Sequence, residues 1–474
     1  MIDYVNHLAR MHLLTAAGTS DANPYYDIKW KLYPNLAMDL SVPFLGRFMS
    51  VEAAAKLFFL VSQVLVFTGA VAIEWRVKGR NELSGFVALL VLFSVPFLWG
   101  LTNFQFGMGV ALWAVAFWIA LEERGWGARL AVHSGFTVLL FLSHFFALGT
   151  YGATIFLYEM SRLFSRQFDV KQAMRMIALM AAPTIALLCV MIYSGGGIGG
   201  KTTDWWFFLK LIWPFRFFSG YSLSLAASSA AALLFLLFFL IHSRSLAVRN
   251  PGKWIGIGFL ILYLALPRRL FDSAYVDVRM ITAAGLILPA FVTYTSSKRR
   301  ERTGSAALVV AIVLANTFNV ASVWLSYQPE YAAMKKSFAL IQPASKVLVG
   351  RSADASSFDL TEQPVYYAPT LATYYAKAFV PSLYTIAGMQ PIAKAAQFQR
   401  LEIADSLDYL PPPLSVLKAI AAGEPAPDAP SYVHHWTTDY DYVYLVGPRI
   451  PNPMPEILTE ISAGERFALY RLRS

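Results

Sequence analysis

Residues 51–75 read VEAAAKLFFLVSQVLVFTGAVAIEW, and this stretch decides the fold class. A helix needs about twenty predominantly apolar residues to cross the hydrocarbon core of a bilayer, and this run supplies them. It ends in Arg76, Lys78 and Arg80, the flank expected on the cytoplasmic side. Working outward, further apolar runs lie at 86–101, 104–121, 130–143, 145–160, 176–193, 223–241, 254–266, 281–295 and 306–325. The chain therefore reads as mostly α: a polytopic α-helical membrane protein of about ten transmembrane helices.

Composition agrees. Of 474 residues, 57% are hydrophobic and 14% charged, and the mean hydropathy is +0.50, which excludes an ordinary soluble enzyme. The single cysteine, Cys189, falls inside an apolar run, so a disulfide framework and a cysteine-based zinc site are both excluded. A net charge of +10 could signal nucleic acid, but the basic residues are scattered between apolar runs. They report topology instead. Connections at 76–82, 122–129, 162–175, 244–253 and 298–302 carry 16 Lys and Arg, whereas those on the other side carry 6. That asymmetry assigns the opening residues, the 196–222 and 267–279 loops and everything after 325 to the outside of the cytoplasm. No cleavable signal peptide is visible, and no transmembrane helix precedes Asp3.

Three domains are expected: a first external loop with an amphipathic helix (1–50), a multi-span domain (51–326) and an extracytoplasmic α/β domain (327–474). In the last, 346–350, 440–447 and 466–472 read as strands, while 330–341, 391–403 and 453–461 read as helices. No internal repeat of the kind found in many secondary transporters is present.

The opening loop carries the densest chemistry. If residues 2–14 are helical, Asp3, Asn6, His7 and Arg10 share one face at i, i+3, i+4 and i+7. A carboxylate, an imidazole and a guanidinium in a row suit acid/base work or an anionic ligand, but also the wet side of an interfacial helix. Asp21, Asp27 and Asp39 lie in proline-flanked sequence where solvation accounts for the charge. Residues 195–202, GGGIGGKT, match the P-loop pattern letter for letter. A P-loop requires a preceding strand and a following amphipathic helix, and here a membrane-length run precedes and aromatics follow, so nucleotide hydrolysis is not expected. Lys201 on this glycine nest could instead cradle a lipid phosphate. The connection at 267–279 holds Arg268, Arg269, Asp272, Asp277 and Arg279 against the topological trend. Either internal Arg–Asp pairing or a phosphate head group explains it. His144 reads as a hydrogen-bonded packing residue, and the adjacent His434 and His435 face opposite ways, unsuited to one metal.

The residues DYVNHLAR (3–10) and YPNLA (33–37), ahead of many spans, aromatic and basic external loops and a C-terminal α/β domain, resemble the GT-C superfamily of membrane glycosyltransferases, in particular uncharacterised bacterial members. The resemblance covers most of the membrane part. It implies a plasma-membrane enzyme of the bacterial inner membrane that moves a sugar from a polyprenyl-phosphate donor to a cell-envelope acceptor on the extracytoplasmic side. It implies an early acid as general base or ligand of a divalent metal, which by position is Asp3, with His7 beside it. Arg10, Lys201, Arg268, Arg269 and Arg279 are then the candidates for the lipid-linked donor. Two features depart from the family: no second acid adjoins Asp3, and the first transmembrane helix has no counterpart. Membrane lipids are the other expected partners, with no role for nucleic acid. A non-enzymatic flippase or transporter of envelope precursors, and a catalytically silent assembly factor, are the alternatives.

Overall fold

The computed structural model describes residues 1–165, 169–195, 202–217, 220–270, 273–296, 298–353, 361, 363–385, 390–401, 403 and 410–473. Fourteen of its helices serve the description: α1 (Tyr4–Ala16), α2 (Ala37–Leu45), α3 (Val51–Lys78), α4 (Ser84–Val91), α5 (Val95–Leu98), α6 (Thr102–Ala120), α7 (Trp126–Ser143), α8 (Phe145–Ser165), α9 (Val170–Tyr193), α10 (Phe207–Arg216), α11 (Leu223–His242), α12 (Asn250–Ala265), α13 (Val276–Ile287) and α14 (Arg299–Phe338). Nine of the ten apolar runs fall on helical regions, and the tenth, 281–295, starts in α13 and ends in the strand Val292–Tyr294. Among the described residues, five helices are long and apolar enough to cross a membrane: α3, α6, α9, α11 and α14. The other runs fall short for visible reasons. The run at 86–101 breaks between α4 and α5, where Pro96 cannot donate a backbone hydrogen bond. At 1.5 Å per residue, α12 and α13, with 16 and 12 residues, reach only about 24 and 18 Å. Helices α7 and α8 have the length but carry buried Arg129, His133 and Glu159.

The chain divides into two compact units, one comprising residues 31–38 and 56–321, the other 1–30, 39–55 and 322–474. In the first, α6 packs on α7 and α8, α12 packs on α8 and α13, and α13 packs on α4. Helices α3 and α6 approach closely because each presents a glycine: a Cβ on Gly69 would lie 2.7 Å from Leu112 Cβ, and one on Gly109 would lie 2.6 Å from Leu65 Cβ. Glu74, fully buried in α3, closes the adjoining turn. Its carboxylate accepts the N–H groups of Glu82, Leu83 and Ser84, each at 3.0 Å, at the start of α4, and the Lys78 ammonium at 2.7 Å. A carboxylate on the unsatisfied N–H groups of a helix start meets both their hydrogen-bonding need and the helix dipole. At the other end of the logic, the buried Lys210 ammonium donates to the carbonyls of Tyr263, Leu264 and Leu266, where α12 leaves its last acceptors open.

The second unit holds a four-stranded sheet in the order Leu458–Ala463, Phe467–Leu472, Tyr442–Val446, Val347–Arg351. The first two pairings are antiparallel and the last is parallel. Val347, Val349, Tyr442, Tyr444 and Val446 pack with Phe338 of α14 and with Tyr366, forming an α/β core. The three expected strands are present. The helix expected over 453–461 is replaced by the strand Leu458–Ala463, because its partner Phe467–Leu472 offers a ladder edge that local periodicity does not encode. The helix expected over 391–403 is instead the short strand Ile392–Lys394 followed by a 3-10 turn, Ala396–Leu401. That strand pairs antiparallel with Tyr26–Ile28 from the opening loop, matching Tyr26 to Lys394 and Ile28 to Ile392. Asn23 ties the same loop down by donating to the carbonyls of Thr373 at 2.9 Å and Ala378 at 3.0 Å.

Candidate functional site

Helix α1 forms with the spacing the sequence demands, and its polar face is occupied. Asp3 sits at the N-cap position, but its side chain turns along the helix rather than capping it. Asn6 Nδ2 donates to Asp3 Oδ1 at 3.1 Å, and His7 Nε2 lies 3.1 Å from Asp3 Oδ2. Arg10 Nη1 lies 3.5 Å from His7 Nδ1, which assigns the ring proton to Nε2 and hence to Asp3. Asn6, His7 and Arg10 are all buried, so the wet polar face of an interfacial helix is not what forms. Only Asp3 reaches solvent, with 37% of its side chain exposed.

The fourth member of this line is Asp39. It is held in α2, fully buried, and accepts a hydrogen bond from Arg10 Nη2 on Oδ1 while its Oδ2 has no partner. The expectation that Asp39 is charged for the sake of solvation is therefore corrected: its charge is matched inside the protein, by a guanidinium 29 residues away in sequence. Asp21, by contrast, stays at the surface, 3.1 Å from Lys377 Nζ.

His12, two residues beyond Arg10 and so on another face of α1, stacks on Tyr374 with ring centroids 3.4 Å apart, and its Nε2 lies 3.4 Å from Glu52 Oε1. Burial lowers its pKa from 6.5 to about 4, against the opposing pull of Glu52. A cavity of about 290 Å³ opens here, lined by His12, Asp21, Asn23, Tyr374 and Lys377. Sequence reasoning passed over His12 and Glu52, and the signal available was a histidine inside an otherwise apolar helical run.

In the other unit the connection after α12 folds as two short strands, Arg269–Leu270 and Ser273–Ala274, that lead into α13. Arg268 is buried with its guanidinium over the rings of Tyr275 at 3.9 Å and Trp213 at 4.3 Å, and 3.3 Å from Asp277 Oδ1. Arg269 lies 3.8 Å from Asp204. Internal Arg–Asp pairing, one of the two readings of this stretch, is thus present. Arg279 donates to His144 Nε2 at 3.1 Å and to the Ala274 carbonyl at 3.0 Å, over the Phe104 ring. Burial, with Arg279 beside it, holds His144 well below the usual imidazole range, so the ring is neutral at pH 7. Arg268, Arg269 and Arg279 are therefore brought together by one connection, whereas Lys201 and Asp272 lie outside the described residues. The YPNLA stretch is fixed in the same unit: Asn103 donates to the Asn35 carbonyl at 2.9 Å and accepts from the Met38 N–H at 2.8 Å. Asn35 takes a left-handed φ of 91°, a conformation asparagine tolerates better than most residues. Among the described residues no group of three or more His, Cys, Asp or Glu side chains is placed to hold a metal ion.

No protein-family model matches the chain, and no curated protein does. Among solved structures, its fold is similar to ArnT from Cupriavidus metallidurans in the apo state, at 12% identity and a TM-score of 0.49, over 98% of this chain and 92% of that one. ArnT from the same organism bound to undecaprenyl phosphate gives 12% identity and a TM-score of 0.49, over 99% and 93% of the two chains.

Proposed function

We propose that this membrane protein is a glycosyltransferase that moves a sugar from a polyprenyl-phosphate-linked donor to an acceptor of the cell envelope on the extracytoplasmic side. The observation that carries the reading is the line Asp3, His7, Arg10, Asp39, in which every member but one is buried and the exposed end is a carboxylate. An acceptor hydroxyl is a weak nucleophile at neutral pH, and a positioned carboxylate that takes its proton as the glycosidic bond forms lowers the barrier. Asp3 is that base. His7 holds it through Nε2 and Asn6 through its amide, so the carboxylate is aimed before the acceptor arrives. Arg10 fixes the His7 ring, and Asp39 fixes Arg10. The donor phosphate is assigned separately to Lys201, Arg268, Arg269 and Arg279. Guanidinium groups suit a phosphate because their planar N–H fork matches its oxygens, and at Arg268 and Arg269 a phosphate competes with Asp277 and Asp204 for those donors.

The test is transfer of radiolabelled sugar from polyprenyl phosphate in membranes carrying the full chain. Asp3→Asn keeps the shape but cannot take the proton, so transfer falls by a factor on the order of 10² to 10⁴ while insertion is unchanged. Asp21→Asn, at the surface, changes little. Wild-type transfer by Asp3→Asn removes the residue from catalysis.

A further inference from the structure

We propose that the end of α3 bearing Arg76 binds one phospholipid of the aminophospholipid class, a phosphate carrying a primary ammonium, with an acyl chain along α3 and α6. Two adjoining cavities of the first unit carry this inference. The first, about 420 Å³, is an apolar groove whose walls are one face of each helix: Phe67, Val71 and Trp75 of α3, at i, i+4 and i+8, and Trp113, Phe117 and Ala120 of α6, at i, i+4 and i+7. Its shape is fixed, since Gly69 and Gly109 hold the two helices together and Trp113 Nε1 donates to Thr68 Oγ1 at 3.1 Å. The second, about 470 Å³, has a mostly polar wall that includes Glu122, Glu123, Tyr158 and Arg249. Arg76 and Ala120 line both. An apolar slot therefore ends at a guanidinium, and beyond that guanidinium lies a polar chamber.

The charges choose the occupant. Arg76 is exposed and has neither a hydrogen bond nor an ion pair among the described residues, although it stands between the two cavities. Arg249 brings a second guanidinium, anchored by its bond to the Val77 carbonyl. On the opposite sign, Glu122 is already engaged by Arg162 and the Tyr158 hydroxyl, which leaves Glu123, exposed and without a partner among the described residues, as the open carboxylate. Two cations and one anion complement a phosphate and an ammonium, whereas a purely anionic head group would meet Glu123 uncompensated. The location fits as well, because this end of α3 lies on the side richer in Lys and Arg, where basic pockets between membrane helices take lipid head groups. Each cavity falls within the range of about 300 to 1,000 Å³ usual for ligand sites.

Native mass spectrometry of the delipidated full chain in detergent tests this, with phosphatidylethanolamine, phosphatidylglycerol and phosphatidylcholine of matched acyl chains as probes. Phosphatidylethanolamine should be retained on the order of tenfold more tightly than phosphatidylcholine, whose quaternary ammonium has no N–H for Glu123. Arg76→Ala should lower retention of phosphatidylethanolamine by a similar factor. Glu123→Gln should lower it too, while raising or leaving unchanged that of phosphatidylglycerol. Both side chains are exposed and unpaired among the described residues, so their substitution leaves the fold intact, checked by an unchanged melting temperature. Equal retention of the three lipids, or wild-type retention by Arg76→Ala, overturns the site. Preference for phosphatidylglycerol that survives Glu123→Gln overturns the assignment of the head group.

Discussion

Replacing Arg10 by methionine isolates what the buried pair in the opening helix contributes. Methionine keeps the unbranched stem, so the perturbation is the loss of charge from a site whose side chain is 6% exposed, facing an Asp39 side chain that is 0% exposed. Asp39 then holds a buried carboxylate with neither oxygen matched, since its Oδ2 has no partner even in the intact pair. Removing one partner of a buried ion pair costs about 3 to 5 kcal/mol. For a unit of about 200 residues, where 1 kcal/mol moves the midpoint by about 2 to 4 °C, the loss is about 6 to 20 °C. Removing both charges at once, Arg10→Met with Asp39→Asn, relieves most of that, because no uncompensated charge remains buried. The double variant should return to within about 2 kcal/mol of the wild type, a coupling well outside the additivity of independent sites. The assay is hydrogen exchange of the full chain in detergent, read on peptides from 442–446 and 467–472, strands whose amides open only when this unit unfolds. A cost below about 1 kcal/mol for Arg10→Met, or a double variant no more stable than the sum of the singles, refutes the account.

His12 makes the same unit sensitive to acid: its folded pKa of about 4 lies below its ordinary 6.5, so the unfolded chain gains a proton first. Stability is full above pH 6.5, declines by up to about 3 kcal/mol as the pH falls to 4, and then levels, a slope that His12→Gln should abolish in exchange-detected unfolding. Glu74→Ala strips the acceptor from three N–H groups and from Lys78, so the melting temperature should fall by an amount equivalent to about 3 kcal/mol or more. A loss under about 1 kcal/mol would show that water replaces the carboxylate. Cysteines at Ser20 and Ser352 should react with an impermeant thiol reagent in intact cells and one at Ser297 should not, and the converse pattern reverses the orientation read from the Lys and Arg count.

Three of the four members of the Asp3 line were legible because their geometry is local. Asp3, Asn6, His7 and Arg10 are three or four residues apart, and a helix converts that spacing into contact whatever the rest of the chain does. Asp39 was not legible in the same way, since nothing periodic relates it to Arg10. Nine of the ten apolar runs proved helical, but apolar composition does not set helix length, and the run at 281–295 leaves the α-helix at Ile287, just before Pro289, and ends in the strand Val292–Tyr294. Strand Leu458–Ala463 shows the opposite failure. Its only fully buried side chain, Leu458, gives it no alternation to read, and it is made a strand by the ladder beside it.

One rule recovers most of what was missed. An acid set among apolar residues cannot be there for solvation, because the neighbouring side chains announce burial. Asp39 follows Leu36, Ala37 and Met38, and Glu74 follows Val71, Ala72 and Ile73. Glu159 stands in the apolar stretch of α8, and Asp277 lies between Val276 and Val278. All four are buried and all four meet a cation: Arg10, Lys78, Arg129 and Arg268. The desolvation of each carboxylate demands this, since a buried charge left alone costs more than folding can spare. The sequence thus announces that a partner exists, while only the fold says which. Arg76 and Glu123 mark the other side of the rule, charges near the end of α3 and just beyond α6 that have no partner among the described residues. Where internal chemistry neutralises these four buried acids, two charges unmatched among the described residues and lining one chamber are the places where an outside ligand has something left to bind.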